Sequence, residues 1–205
     1  MRSYNYSGYS RNSGWHMSPV NTVFVALNVI VFLWLSFLGD TTSARFMYEH
    51  GAAFWPDIFY GHEYYRLLTC AFIHFGFSHL FNNMLVLAYI GDNLERALGK
   101  FKYIILYLVS AVGSSLVSAV WNMMHDDLIV SGGASGAVFG VVGALLVIVV
   151  RNRGRLEDLS SRQLALFAVF SIYHGVTSAG IDNAAHVGGF LIGAVMAAVL
   201  YRRRR

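Results

Sequence analysis

Six stretches of this chain are each long and apolar enough to cross a lipid bilayer, and this constrains the fold more than any other feature. A helix of about 20 mostly apolar residues spans the hydrocarbon core. The stretches fall roughly at residues 20–38, 77–98, 102–124, 132–151, 163–180 and 184–201. The fifth is the least continuous, because Tyr173, His174 and Thr177 dilute its end. Apolar residues make up 56% of the chain and charged residues only 13%, with a mean hydropathy of +0.52, the balance of a polytopic membrane protein. The expected fold class is all-α, one six-helix membrane bundle over residues 20–205. Residues 1–19, rich in Ser, Gly, Tyr, Asn and Arg, read as a disordered cytoplasmic tail. The first run is long for a cleaved signal peptide, and no clear A-x-A site follows it.

Loop charges give the direction of each run. Arg2 and Arg11 precede the first; Arg96, Lys100 and Lys102 separate the second from the third. Arg151, Arg153, Arg155 and Arg162 separate the fourth from the fifth, and arginines fill 202–205. The alternate loops hold Asp126, Asp127 and Asp182, with a mixed stretch over 40–66. Basic loops stay in the cytoplasm, so both termini are expected there. The net charge of +4 is distributed beside apolar runs rather than on a shared patch, which argues against nucleic acid as a partner. Cys70 is the single cysteine, so no intrachain disulfide forms, and it reads as a small buried hydrophobe.

With that orientation, runs two, four and six all start at the outer surface. His79 and Asn83 lie early in run two, Ser135 early in run four and His186 early in run six. All four are therefore expected at a similar depth, in the outer half of the bilayer, where polar groups are costly and need a reason to be present. Run four carries Gly132, Gly136, Gly140 and Ala144, and run six carries Ala185, Gly189, Gly193 and Ala197. Small residues at every fourth position let two membrane helices approach closely. If the stripes face each other, Ser135 and His186 are each one residue off a stripe, near the same end of the seam. Periodicity alone fits packing glycines beside a satisfied polar residue equally well.

Chemistry adds to that spacing. Serine is a weak nucleophile until a base takes its proton, so Ser135 with His186 is the minimum for acyl transfer. The tetrahedral intermediate then needs donors aimed at its oxyanion. His79 and Asn83, four residues apart, share a helix face and offer ring and amide N–H groups; the backbone N–H of Ser135 adds a third. Polar pairs at this spacing also glue helices together. Asp182, four residues before His186, reads as a surface acid rather than as its orienting partner. Ser110, Ser114 and Ser118 read as a packing face of run three.

These residues resemble the rhomboid family of intramembrane serine proteases. The resemblance rests on His79-Leu80-Phe81-Asn82-Asn83, on Gly133-Ala134-Ser135-Gly136, and on Ala185-His186 followed by Gly189 and Gly193. Tyr65-Arg66 and Glu95-Arg96 with Gly99 add to it, and the matches run from about Arg66 to Gly193. The resemblance implies a Ser135–His186 dyad without an acid, and an oxyanion site at His79, Asn83 and the Ser135 N–H. It implies that residues from about 40 to 75 form a first loop lying partly in the outer leaflet, consistent with the aromatic run Phe54-Trp55-Pro56-Asp57-Ile58-Phe59-Tyr60. Arg66 would support that loop through backbone carbonyls or contact a lipid headgroup. The family often has a tyrosine four residues after the nucleophile; here it is Phe139, which keeps the ring for stacking and loses the hydroxyl.

Rival chemistries lack their residues. Position 137 is Ala, so the G-x-S-x-G of a soluble α/β-hydrolase is missing, and none of the eight histidines forms H-E-x-x-H. Asp92 near a helix end has no second membrane aspartate. No cofactor or metal is expected; the expected partners are transmembrane protein substrates and membrane lipid, and the sequence specifies no oligomeric state. Short loops and the absence of an extra domain point to a bacterial plasma membrane. The alternative is a non-enzymatic polytopic protein, a transporter or a client-binding pseudoprotease, that uses the same polar cluster to bind.

Overall fold

The computed structural model describes residues 18–153, 155–156, 159–177 and 180–202. The tail expected over 1–19 lies outside them save for its last two residues, as do three of the four closing arginines. Helix α1 (Pro19–Leu38) starts on a proline, whose missing N–H costs nothing in a first turn. Short helices α2 (Ala44–Glu49), α3 (Trp55–Phe59) and α4 (Arg66–Thr69) follow, the last running into a 3₁₀ turn (Cys70–Phe72). Next come α5 (Phe77–Val86), a π turn (Leu87–Gly91) and α6 (Asp92–Leu98), joined end to end, and then α7 (Lys100–His125) and α8 (Ser135–Arg151). A two-residue ladder, β1 (Arg155–Leu156) on β2 (Leu159–Ser160), leads to α9 (Ser161–Thr177) and α10 (Asn183–Leu200). Among the described residues the protein is otherwise helical.

Helices α1, α7 and α10 are long and apolar enough to cross a membrane, and the bent pair Arg66–Phe72 and Phe77–Leu98 makes a fourth candidate. That pair turns through 91°. Gly76 at the corner has φ +82, a conformation open to glycine and strained for other residues. The fourth and fifth runs form shorter apolar helices, Ser135–Arg151 and Ser161–Phe170. The fourth run was expected from 132, but its helix starts at Ser135: Gly133 takes φ +136 and breaks the helix before it can start. A short α8 is tolerated because α7, α9, α10 and the π turn surround it, and it is buried almost throughout.

The small-residue stripes do face each other. A Cβ on Gly189 would lie 2.9 Å from the carbonyl carbon of Gly136, and one on Gly193 would lie 2.5 Å from that of Gly140. Gly136 and Gly140 also receive the Ser114 and Ser110 side chains of α7, which are buried as a packing face should be. Gly132 is the exception to the expected stripe. It precedes α8 and lies against the first loop instead, where a Cβ would be 3.2 Å from the Phe75 ring and 3.3 Å from the Ile73 carbonyl oxygen.

Polar groups close the bundle at its basic end. Glu95 accepts from the N–H groups of Val20 (3.3 Å) and Asn21 (2.7 Å), and Asp92 from that of Ser18 (2.6 Å), so two carboxylates cap the start of α1. Buried Asn21 donates to the Leu87 carbonyl at the π turn (3.0 Å) and accepts from the Tyr103 hydroxyl (2.6 Å). At the same end Arg151 Nη1 donates to the carbonyls of Ala198 (2.9 Å) and Tyr201 (3.0 Å), and Lys102 Nζ to that of Leu200 (2.8 Å). These cations satisfy the last carbonyls of α10, where a helix dipole favours positive charge.

The first loop is built on Arg66. Its Nη1 donates to the carbonyls of Tyr48 (2.8 Å) and Ala52 (2.9 Å), its Nε to Glu63 (2.5 Å), and the side chain is buried. Of the two roles open to Arg66, carbonyl support is the one the fold uses. Hydrogen bonds from Tyr65 and Arg66 hold the Glu63 carboxyl below its ordinary pKa. A single antiparallel bridge then ties this loop to the segment before α8, with Ala53 N–H to Ser131 O at 2.8 Å and the reciprocal bond at 2.9 Å.

Candidate functional site

An open cleft of about 2080 Å³ is lined by residues that include His79, Asn83, Ser135, Phe139 and His186. The four polar residues singled out in the sequence therefore meet on one cavity. Each comes from the early turns of its helix: His79 and Asn83 from α5, Ser135 from the first position of α8, His186 from the first turn of α10. The glycine seam brings the last two together. A Cβ on Gly136, next to Ser135, would lie 3.6 Å from the carbonyl oxygen of Ala185, next to His186.

His186 is 8% exposed and stacks on Phe139, with ring centroids 4.2 Å apart and planes 13° from parallel. The ring kept at position 139 thus does pack on the histidine. His186 Nδ1 is buried without a hydrogen-bond partner among the described residues. The Asp182 carboxylate is engaged elsewhere than on the imidazole. Its Oδ1 accepts from the Ala185 N–H (2.9 Å) and its Oδ2 from the Ser118 hydroxyl.

The turn leading into Ser135 explains its glycine. A Cβ on Gly133 would lie 2.7 Å from both Cε1 and Nε2 of His79, and φ +136 already excludes most side chains. His79 and this turn are therefore in close contact. Asn83 is buried and donates Nδ2 to the His79 carbonyl at 3.0 Å, which leaves its second amide hydrogen. The α8 N-terminus also presents backbone N–H groups that have no acceptor within the helix.

His74 is the residue that sequence reasoning passed over. It is fully buried; its Nε2 accepts from the Ala134 N–H at 3.3 Å, and its ring meets that of His79 edge-on at 5.2 Å. It thus buttresses both the turn before Ser135 and the His79 ring. The available signal was a histidine among apolar residues just before Gly76, which reads equally as the end of a loop. Among the described residues no cluster of His, Cys, Asp or Glu is arranged to hold a metal ion.

The sequence matches the family described as Rhomboid domain over residues 61–203. It is 32% identical over 178 residues to the Rhomboid protease GluP of Bacillus subtilis (strain 168), covering 87% of this chain and 34% of that protein. It is 37% identical over 144 residues to RHOMBOID-like protein 4 of Arabidopsis thaliana, covering 70% of this chain and 36% of the relative. The Rhomboid protease GlpG of Photorhabdus laumondii is 29% identical over 195 residues, 94% of this chain and 64% of that protein. The chain thus spans about a third of the first two relatives and just under two thirds of the third.

Proposed function

The chain belongs to the rhomboid family, and from that membership we propose that it is an intramembrane serine endopeptidase that cleaves single-span membrane proteins near the outer membrane boundary. Ser135 is the nucleophile and His186 its general base. The observation that carries this reading is the meeting of the first turns of α8 and α10 across the glycine seam, which puts both residues on one cleft. That His186 Nδ1 has no hydrogen-bond partner among the described residues supports a dyad rather than a triad.

The chemistry follows the positions of the groups. His186 takes the Ser135 hydroxyl proton as Oγ attacks the scissile carbonyl. The oxyanion receives hydrogen bonds from the Ser135 N–H, the free Asn83 amide hydrogen and the His79 ring. His186 then gives its proton to the leaving amine, and water attacking the acyl-enzyme returns Ser135. The six-span bundle has both termini in the cytoplasm and the loop around Arg66 in the outer leaflet, supported by the basic loops and by exposed Tyr60, Tyr64 and Tyr65. The relatives named as proteases favour this reading over a transporter or client-binding protein.

Cleavage of a single-span reporter by the purified chain in detergent tests the proposal. Ser135→Ala and His186→Ala should each abolish turnover, and the double variant should be no worse than either single, because nucleophile and base act as a unit. A fluorophosphonate should label the parent protein at Ser135. Substantial turnover by Ser135→Ala would falsify the serine-protease reading.

A further inference from the structure

The His186 ring has a stacking partner but, among the described residues, no hydrogen bond at Nδ1. Its direction therefore depends on where the backbone of α10 begins, and one residue sits at that point. Asp182 makes three connections there. Its carbonyl accepts from the His186 N–H at 3.1 Å, Oδ1 caps the Ala185 N–H at 2.9 Å, and Oδ2 accepts from the hydroxyl of Ser118 on α7. Ser118 is buried, so the link is made within the bundle. Below it the two helices touch: a Cβ on Gly188 would lie 2.8 Å from the Cβ of Val117, which leaves little play between them.

We propose that Asp182 is a positioning residue, a cap and tie that holds the first turn of α10 against α7 and so aims His186 at Ser135. The proposal rests on the proteolytic reading for its effect on turnover, but not for its effect on the helix. An unpaired first turn frays, because its N–H groups have no partner within the helix. His186 lies in that turn, and a nucleophile and base displaced by about an ångström lose rate steeply. The carboxylate acts here through its acceptor oxygens and their geometry. Asparagine keeps a cap acceptor of similar shape at this site.

The test compares Asp182→Ala, Asp182→Asn and Ser118→Ala with the parent protein in detergent, measuring reporter cleavage and hydrogen exchange at the Ala185 and His186 amides. Losing the cap should speed exchange at those amides about tenfold in Asp182→Ala. It should lower kcat by a similar factor, leaving KM within about twofold. Asp182→Asn should recover both to within about threefold of the parent. Ser118→Ala, which removes only the tie, should fall between, and adding it to Asp182→Ala should change little. If Asp182→Ala does not fold, Ser118→Ala alone carries the comparison. Unchanged exchange in Asp182→Ala, or in Ser118→Ala where that stands alone, overturns the positioning role. So does an Asp182→Asn protein as impaired as Asp182→Ala, which would make charge the cause. A parent protein that cleaves nothing refutes proteolysis, while the exchange data still decide the role of Asp182.

Discussion

The substitution Gly189→Ala tests the link between helix packing and chemistry most directly. Gly189 lies three residues beyond His186 on the face of α10 that meets α8. An added methyl would lie 2.9 Å from the carbonyl carbon of Gly136 and 3.3 Å from its Cα, and nearer still to the oxygen. Ordinary carbon contacts begin at about 3.5 Å. The obstacle is backbone on a buried helix, which cannot rotate aside as a side chain would. The helices must therefore part by roughly an ångström at this level, an overpacking cost of about 1–3 kcal/mol. Parting them separates Gly136 from Ala185 and hence Ser135 from His186. A displacement of that size costs about 10²-fold in rate. Reporter cleavage should fall by about that factor, fluorophosphonate labelling should slow with it, and the thermal midpoint should drop. Val195→Ala, at a position 63% exposed on the same helix, is the control and should retain activity. Parent-like turnover in Gly189→Ala would show that the seam does not set the Ser135–His186 distance.

Four further outcomes are expected. Gly133→Ala combines a strained φ with a methyl 2.7 Å from the His79 ring, so fluorophosphonate labelling of Ser135 should fall about 10²-fold while helical content by circular dichroism stays constant. Removing one oxyanion donor costs about 10²–10³ in rate, so Asn83→Ala should slow reporter cleavage into that range, and an unchanged kcat/KM would leave Asn83 as helix glue. Tyr103→Phe strands the Asn21 oxygen inside the bundle and should destabilise the protein by about 1 kcal/mol in a detergent melt. The Glu63 carboxyl is held below its ordinary pKa, so its anchoring of the first loop is complete above about pH 4.3 and is lost as pH falls through the depressed value. Proteolytic nicking of that loop should rise over the same acid range, and Glu63→Gln should abolish the dependence.

Three of the expected span positions were legible because apolar run length is a property of consecutive residues. The helices Pro19–Leu38, Lys100–His125 and Asn183–Leu200 begin and end within two residues of their runs. The facing of the two small-residue stripes was legible too, since a four-residue repeat keeps one helix face. What escaped depends on contacts between distant segments. Gly132 continues the repeat in sequence yet lies outside the helix, because the φ of Gly133 starts α8 at Ser135. His74 acts through Ala134, 60 residues away, and no spacing rule links them. The π turn at Leu87 has its Asn21 partner 66 residues earlier. Asp182 read as a loop acid because its partner Ser118 belongs to another helix.

On the proposed topology, the cations that close α10 have a second role before the chain has folded. While the protein is being inserted and the ends of α7, α8 and α10 are apart, Lys102 and Arg151 act, on that topology, only as charges that resist passage across the bilayer. Once the helices meet, the same side chains reach the carbonyls of Ala198, Leu200 and Tyr201 and lock the bundle at that end. Charge that first serves as an address later serves as mortar. Moving a lysine or arginine elsewhere in the same loop preserves the address and removes the mortar, so the number of positive residues in a loop is a poor guide to which of them can be exchanged.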